Sequence, residues 1–248
     1  MVSSVDVLDA SPDYVLHRGL RLPPKEMRFG GVEYRDDDTY VRSGEGHVRL
    51  LQQTCGLSAT RKVLDIGCGP ARLLTGLLSV YGSISEYVGL DVHKPSIDWA
   101  LKHLNNPEGG VSFQWLNVAN KRYNARGQAV NETVQFPVPA NRFDVVVLFS
   151  VFSHMGLANI RPYLFEIKRI LAVKGKVYLT LFVEHGVPDE VENPKGYRHQ
   201  EWVGPLHCVR LNRYRFEDAV YAAGLIIEYF RYGRTGSGQS SYVLTHPD

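Results

Sequence analysis

The segment from Val63 to Pro70 constrains the fold of this chain more than any other part of the sequence. It reads as a buried strand that ends in two glycines, Gly67 and Gly69, immediately before the start of a helix. Glycine at these places lets the backbone turn tightly and lets a ligand approach the main chain closely. The helix start adds unpaired amides and a partial positive charge. A unit of this kind predicts an α/β fold with a ligand at the turn.

The surrounding sequence alternates apolar strands with amphipathic helices. The predicted strands are 62–66, 87–92, 111–116, 143–149 and 175–183. The predicted helices between them are 71–80, 95–104 and 159–171, with an irregular stretch over 117–141. Continuously apolar strands between helices indicate a parallel sheet that is covered on both faces. A helix at 213–223 and strands at 225–232 and 241–245 follow, and their short connection permits an antiparallel hairpin at the end of the sheet.

An acidic residue, Asp91, closes the next strand and lies 22 residues after Gly69. An ionised carboxylate there can accept hydrogen bonds from both ribose hydroxyls, each contributing about 1.5–3 kcal/mol. Adjacent strand ends at the switch point of an open α/β sheet are where nucleotides bind. A dinucleotide fingerprint requires a glycine or alanine where this chain has Arg72. The pattern therefore favours a nucleoside cofactor over a dinucleotide.

These motifs resemble those of the class I S-adenosylmethionine-dependent methyltransferases over about residues 60–245. The segment Phe143–Val146 resembles the family's fourth strand, and 169–177 resembles the approach to its fifth strand. The resemblance implies a Rossmann-like, mostly parallel sheet of seven strands, with the last strand antiparallel and helices on both faces. It also implies S-adenosylmethionine as cofactor and S-adenosylhomocysteine as product. Segments 22–29, 117–124, 150–155 and 236–239 resemble a bacterial subgroup that methylates hydroxyls of sugars, glycolipids and secondary metabolites.

The resemblance also implies which residues contact the cofactor. They are Asp65, Gly67, Cys68, Gly69, Asp91, Val92, Asn117, Val118 and Ser150. The residues up to Gly69 would surround the methionine part, Asp91 would hold the ribose and Val92 would flank the adenine. Asn117 stands where the family often has an acid near the adenine amino group, and its amide oxygen can accept the same hydrogen bond.

His154 follows the fourth strand at the carboxyl edge of the sheet, where the methyl group should point. Its unperturbed pKa of about 6.5 lets it be neutral near pH 7 and act as a general base. Transfer to a hydroxyl requires removal of a proton, whereas transfer to a neutral amine needs much less help. We therefore predict O-methylation with His154 as the base. Capping or packing of the next helix is the alternative role for this side chain.

Two further segments are expected to form the acceptor site. Residues 1–60, with a short helix at 46–55, are predicted as an extension that closes over the cofactor. Residues 61–248 are predicted as the methyltransferase domain, with 184–211 as its substrate lid. The candidate acceptor contacts are Tyr40, Arg42, Tyr123, His199, Trp202 and His207. The lid histidines and acids match no metal-binding spacing, so a divalent metal is possible in principle but not expected.

Composition and charge narrow the class of partner. The 248 residues carry 28 Lys and Arg against 26 Asp and Glu, a net charge of +2 that is too mild to indicate nucleic acid or a membrane. Three cysteines are an odd number without metal-type spacing, which fits a reducing cytosol. No signal peptide is recognisable, and no apolar run approaches the ~20 residues that span a bilayer. We predict a cytoplasmic protein that acts on a small molecule, and a homodimer is compatible with the sequence.

Three other functions fit parts of the same pattern. N-methylation of a small amine would show weak dependence on His154. A protein that binds S-adenosylmethionine without catalysis would leave every acceptor unchanged. A nicotinamide-dependent dehydrogenase would bind a nicotinamide cofactor in preference to S-adenosylmethionine.

Overall fold

The computed structural model describes residues 13–130, 134–233 and 238–247. Two short strands, β1 (Val15–His17) and β2 (Leu20–Leu22), precede helix α1 (Asp37–Cys55). The remaining elements are β3 (Lys62–Ile66), α2 (Arg72–Tyr81), β4 (Glu86–Asp91), α3 (Lys94–His103), β5 (Val111–Trp115), β6 (Phe143–Leu148), α4 (Leu157–Ile170), β7 (Leu171–Glu184), β8 (Glu190–Glu192), β9 (Val209–Asn212), α5 (Arg213–Ala222), β10 (Ile226–Arg231) and β11 (Ser240–Thr245). The first twelve residues of the predicted extension, and positions 236 and 237 of the subgroup resemblance, lie outside the described residues.

Seven strands form the main sheet in the order β10-β11-β7-β6-β3-β4-β5. The strands β3 to β7 run parallel to one another, which requires a crossover connection between each pair. Strand β11 runs antiparallel to both β7 and β10, which makes the predicted hairpin at the end of the sheet. The predicted Rossmann-like α/β fold, a mostly parallel sheet of seven strands with an antiparallel last strand, is confirmed.

Alternate residues of the central strands pack on opposite faces of the sheet. On β6, Val145 and Val147 join the core formed with α1, α2 and α3, while Val146 and Leu148 join the core formed with α4 and α5. This alternation follows from the two-residue period of a strand. Because both faces are covered by helices, polar side chains can meet a ligand only where the strands end.

Helix α1 is longer than the helix predicted over 46–55. It begins at Asp37, and the acidic residues Asp36, Asp37 and Asp38 form its start. The Asp36 carboxylate caps the helix by accepting the Thr39 amide at 2.8 Å. Within the helix, Gly44 packs against Gly76 of α2, and a β-carbon at either position would overlap the backbone of the other helix. This contact places α1 directly against the helix that follows the glycine turn.

The segment 184–211, which the sequence predicts as a lid, also contains strand residues. Strand β9 pairs in parallel with the end of β7, and β8 pairs antiparallel with β9. A short 3-10 turn at Tyr197–His199 lies between them. The lid is therefore hydrogen-bonded to the main sheet at its base. Within the described ranges, every helix falls short of the length or apolarity that crossing a bilayer would need.

Candidate cofactor and acceptor site

The glycine-rich turn lies at the carboxyl ends of β3 and β4. Gly67 and Gly69 both adopt positive φ angles, +74° and +51°, which glycine reaches without steric cost. A β-carbon at Gly67 would strike the side chain of Val151. The amides of Gly67 and Cys68 donate to the Leu90 carbonyl at 2.7 and 3.1 Å. These bonds tie the turn to the end of β4.

Asp91 holds the same turn from the side of β4. One carboxylate oxygen accepts the Gly69 amide at 2.6 Å, and the other accepts the His93 amide at 2.7 Å. Burial raises the pKa of this carboxyl, and the two backbone hydrogen bonds oppose that effect. Each oxygen of a carboxylate has a further lone pair, so Asp91 can still accept two hydroxyl groups.

A cavity of about 220 Å³ lies over the turn, between the N-terminal segment and the end of β6. The predicted site residues that line it are Gly67, Cys68, Gly69, Asp91, Val92, Ser150, His154, Tyr40 and Tyr123. Tyr40 also donates its hydroxyl to the Pro70 carbonyl at 3.1 Å, which links α1 to the turn. The structure thus brings residues from five separate segments of the chain to one cavity.

Three predicted cofactor residues do not line this cavity. Asp65 lies beneath the turn, where its carboxylate accepts the Tyr87 hydroxyl at 2.8 Å. Burial raises the pKa of Asp65 to about 7. Asn117 accepts the Asn124 side-chain amide at 3.3 Å. In the same segment, the cavity is lined by Leu116 and Ala119 rather than by Asn117 and Val118.

Arg72 is a candidate cofactor contact that the sequence reasoning used only to exclude a dinucleotide. It opens α2 directly after the turn and lines the cavity. Its guanidinium carbon lies 4.3 Å from the centre of the Tyr34 ring. Nη1 of Arg72 is buried and has no hydrogen-bond partner among the described residues. A buried N–H group that lacks a partner costs free energy, so this position fits an anionic ligand group.

Ser150 follows β6 at the carboxyl edge of the sheet and has an unusual backbone conformation. Its φ angle is +58°, which is uncommon for a residue other than glycine. Its amide donates to the Thr180 hydroxyl at 2.8 Å, and its hydroxyl accepts the Gln239 side-chain amide at 2.9 Å. Its carbonyl accepts the Ser153 hydroxyl at 2.8 Å. These three bonds hold the turn from which the segment containing His154 departs.

His154 ends a short 3-10 turn, Phe152–His154, at the carboxyl edge of the sheet. Its Nδ1 lies 2.9 Å from the carbonyl oxygen of Leu206 in the lid. Because a carbonyl can only accept, Nδ1 carries the proton and Nε2 remains an acceptor. The ring meets Tyr123 edge-on, with centroids 5.6 Å apart. Burial lowers the pKa of His154 to about 4, so the imidazole is neutral at pH 7.

A larger groove of about 1140 Å³ adjoins the cofactor cavity. Both spaces are bordered by Gly30, Arg72, Phe149, Ser150 and His154. The lining of the groove comes from β7, β10 and β11, from α1 and from the lid, and includes Tyr178, Thr180, Ser241, Val243, His47 and Gln200. His154 therefore borders both a small cavity and a wide groove.

The predicted acceptor residues divide between these spaces. Trp202 and His207 line the groove, and their rings meet edge-on at 5.2 Å. Arg42 and His199 line neither space. Arg42 lies 3.4 Å from Asp38 on the exposed side of α1, and His199 is exposed in the turn of the lid. No cluster of three or more His, Cys, Asp or Glu residues with metal-holding geometry occurs within 13–130, 134–233 and 238–247.

The fold and this site define an α/β protein that binds a nucleoside cofactor at the ends of its central strands. Residues 64–179 match a family model described as "Methyltransferase domain". The matched segment, residues 64–179, is therefore a class I S-adenosylmethionine-dependent methyltransferase domain. The predicted family and cofactor are thereby confirmed.

Solved structures with the same fold include proteins of different activity. A SAM-dependent methyltransferase of Leishmania major is 15% identical, with a TM-score of 0.57 over 84% of this chain and 74% of that chain. The PH0226 protein of Pyrococcus horikoshii is 18% identical, with a TM-score of 0.55 over 88% and 100%. The [4+2]-cyclase SpnF is 16% identical, with a TM-score of 0.56 over 82% and 80%. Identities this low show the fold alone, and the fold does not fix the reaction.

The residues of the cavity fit S-adenosylmethionine. Asp91 offers lone pairs for the ribose hydroxyls, and the open glycine turn lets the methionine part approach the backbone. The unpaired Nη1 of Arg72 offers a charged donor for the methionine carboxylate. The donors and acceptors of the cavity thus match the two polar ends of the cofactor.

The assignment of Arg72 leads to a test with two ligands. Replacing Arg72 by Ala should weaken binding of S-adenosylhomocysteine roughly ten- to hundredfold, because a hydrogen bond to a charged group contributes about 1.5–3 kcal/mol. Binding of 5′-methylthioadenosine, which lacks the amino-acid part, should change little. Isothermal calorimetry measures both constants. Arg42→Ala is the matched control, since Arg42 lines neither space, and equal losses for the two ligands would contradict the carboxylate contact.

Proposed function

We propose that this methyltransferase transfers the methyl group to a hydroxyl of a small acceptor, a sugar or glycoside first among the candidates, with His154 as the general base. The orientation of His154 carries the proposal. Its Nδ1 donates a hydrogen bond to the Leu206 carbonyl, which leaves Nε2 as the accepting nitrogen of a residue that borders both spaces. A cytoplasmic location, and closure of the site by the N-terminal extension and the lid, belong to the same proposal.

When bound, S-adenosylmethionine supplies an electrophilic methyl group on a positively charged sulfur. Asp91, the glycine turn and Arg72 hold the two ends of the cofactor and so fix the position of that methyl group. Ser150 and His154 border the place where the acceptor meets it. Holding the reacting atoms in line supplies most of the rate, since correct orientation removes a large entropic cost.

His154 Nε2 accepts the hydroxyl proton as the acceptor oxygen attacks. The pKa of His154 is lowered to about 4, so it is a weak base before the reaction begins. The proton becomes strongly acidic as the oxygen gives its electron pair to the methyl carbon. Even a weak base can then take it, and we infer that proton transfer accompanies bond formation rather than preceding it.

The lining of the groove supports a ring-shaped polar acceptor. Tyr178 and Trp202 offer aromatic faces, while Thr180, Ser241 and Gln200 offer neutral hydrogen-bonding groups. Ligand sites combine apolar surface with a few placed polar groups, and a sugar ring presents both kinds of partner. The groove is also far larger than a single ring requires, which leaves room for a glycoside.

One observation favours a second candidate function, N-methylation of an amine. The lowered pKa of His154 makes it a weak base, and a neutral amine needs little help from a base. In that reaction His154 would border the acceptor without taking its proton. The unprotonated Nε2 of a residue that borders both spaces supports the hydroxyl more directly.

A labelling experiment separates these functions. The purified protein is incubated with S-adenosylmethionine carrying a ¹³C methyl group and with a panel of monosaccharides, aryl glycosides and primary amines. We expect S-adenosylhomocysteine to form with the hydroxyl acceptors and the label to appear as a methyl ether, identified by its carbon chemical shift. Label confined to amines would establish the second candidate. Binding of the cofactor without turnover on any acceptor would contradict both.

A further inference from the structure

The orientation of His154 depends on a residue in an unfavourable backbone conformation. Leu206, whose carbonyl accepts from His154 Nδ1, has a φ angle of +50°. For residues other than glycine this left-handed conformation costs about 1–2 kcal/mol. Such residues persist when the surrounding structure fixes them, and they cluster at functional sites. The groups that hold Leu206 therefore decide where its carbonyl points.

Two neighbouring side chains at the end of β8 hold the Leu206 turn at three points. The Glu192 carboxylate accepts the Leu206 amide at 2.7 Å. The Asn193 side chain accepts the Cys208 amide at 2.9 Å and donates to the Gly204 carbonyl at 2.7 Å. The turn is thus bound before, at and after Leu206.

The strand that carries these two residues is itself fixed beside His154. Strand β8 pairs with β9, which pairs with the end of β7 in the main sheet. Glu190, also on β8, accepts the Leu157 amide at 2.7 Å, and Leu157 is the first residue of α4, three residues after His154. A carboxylate at a helix N-terminus is electrostatically favourable. One short strand therefore contacts the chain on both sides of the imidazole.

We propose that Glu192 and Asn193 are positioning residues that present the Leu206 carbonyl to His154 Nδ1 and thereby keep Nε2 unprotonated. The catalytic meaning rests on the proposed function, because it requires His154 to be the base. The effect on which nitrogen of the imidazole ring is protonated does not depend on that function. A lid displaced from β7 would remove the Leu206 carbonyl from His154, so the competent base exists only with the lid in place.

Loss of these contacts should not detach the lid as a whole. A separate network at the end of β7 also holds it, because Glu184 accepts the hydroxyl of Tyr197 at 2.7 Å and lies 3.1 Å from Arg198. The same carboxylate accepts the Tyr232 hydroxyl of the neighbouring hairpin at 2.6 Å. Substitutions at the end of β8 therefore act on the Leu206 turn and leave the rest of the lid attached.

The test is ¹⁵N NMR of the imidazole side chains in the full-length protein, which reports directly which ring nitrogen carries the proton. In the unaltered protein His154 should show protonated Nδ1 and unprotonated Nε2. Glu192→Ala and Asn193→Gly should each shift the tautomer ratio toward protonated Nε2 by about fivefold or more, the size expected for one lost hydrogen bond. Glycine is chosen at 193 because Asn193 also has a positive φ angle, +47°, which glycine tolerates.

Two controls make the result specific. Glu192→Gln keeps an accepting oxygen and should restore the original tautomer ratio. Glu201→Ala removes another exposed lid glutamate, one that makes no side-chain hydrogen bond or ion pair with the residues that the structure describes, and should have no effect. A tautomer ratio unchanged in Glu192→Ala and Asn193→Gly would overturn the proposal, as would a Gln variant that behaves like Ala.

The outcome is separable from that of the proposed function. Neither Glu192 nor Asn193 lines the cofactor cavity or the groove, so affinity for S-adenosylhomocysteine should stay within about threefold. The kcat should fall, but by no more than the tautomer ratio shifts. If the Glu192 and Asn193 variants shift the tautomer ratio but the His154 variants keep full turnover, His154 is not the general base. The positioning role of Glu192 and Asn193 would then still stand. A shifted tautomer with loss of cofactor binding would contradict the local role assigned to these side chains.

Discussion

Replacing His154 by Ala or Gln should lower kcat roughly 10²–10⁴-fold, the usual contribution of a positioned general base. The affinity for S-adenosylhomocysteine should stay close to that of the unaltered protein, because the ribose and methionine contacts come from other residues. Steady-state kinetics with a hydroxyl acceptor and calorimetry with the product measure the two quantities. His185→Gln serves as control, since this lid histidine lines neither space. Turnover that is unaltered in both His154 variants would remove the base from the mechanism.

The pH profile gives the same hypothesis a second test. Because burial lowers the pKa of His154 to about 4, the neutral, competent form persists well below the usual range for histidine. We therefore expect the ratio of turnover in the unaltered protein to turnover in His154→Gln to be constant between pH 6 and 8 and to fall only as the pH decreases through about 4. Taking the ratio removes the titration of Asp65, whose pKa is raised to about 7. A half-maximal ratio near pH 6.5 would show that the base titrates as an exposed histidine does.

Replacing Asp91 by Ala should raise the Kd of S-adenosylhomocysteine by at least about a hundredfold. Two hydrogen bonds to ribose hydroxyls are lost, each contributing about 1.5–3 kcal/mol. The amides of Gly69 and His93 lose their acceptor at the same time, which loosens the glycine turn. Asp91→Asn keeps one accepting oxygen and should give an intermediate loss in calorimetry.

The matched control for this substitution is Asp98→Ala. Asp98 is an exposed acid on the adjacent helix α3, where it pairs with Lys94 at 2.6 Å. Its removal should leave the Kd unchanged. If Asp91→Ala folds, as judged by circular dichroism, and binds within about threefold of the unaltered protein, Asp91 is not the ribose acceptor.

The fold and the glycine turn could be predicted because their signals are local. A strand such as Lys62–Ile66 shows its burial in consecutive residues, and Gly67 and Gly69 show the turn that follows. Asp91 is predictable for the same reason, since it ends the next strand at a known distance along the chain. Parallel strands bring such ends to one edge of the sheet without any further information.

The details of the site depend on contacts between distant residues. His154 and Leu206 are 52 residues apart, and nothing around either one indicates that they meet. Arg72 could be recognised as a cation after the turn, but its missing partner is visible only in three dimensions. Strand β8 has three residues, too few for a two-residue period to show. The sequence therefore predicts where the cofactor lies better than it predicts what orients the base.

The crossing of α1 and α2 has a practical consequence for anyone who shortens or fuses this protein. Gly44 and Gly76 let the backbones of the two helices touch, and Tyr40 of α1 borders the cofactor cavity. An expression boundary placed after Cys55 would strip a wall from the binding site and leave bare main chain of α2 facing water. Tags and truncations should therefore keep α1 and also the segment before it, where Gly30 borders the cavity and Tyr34 lies against Arg72.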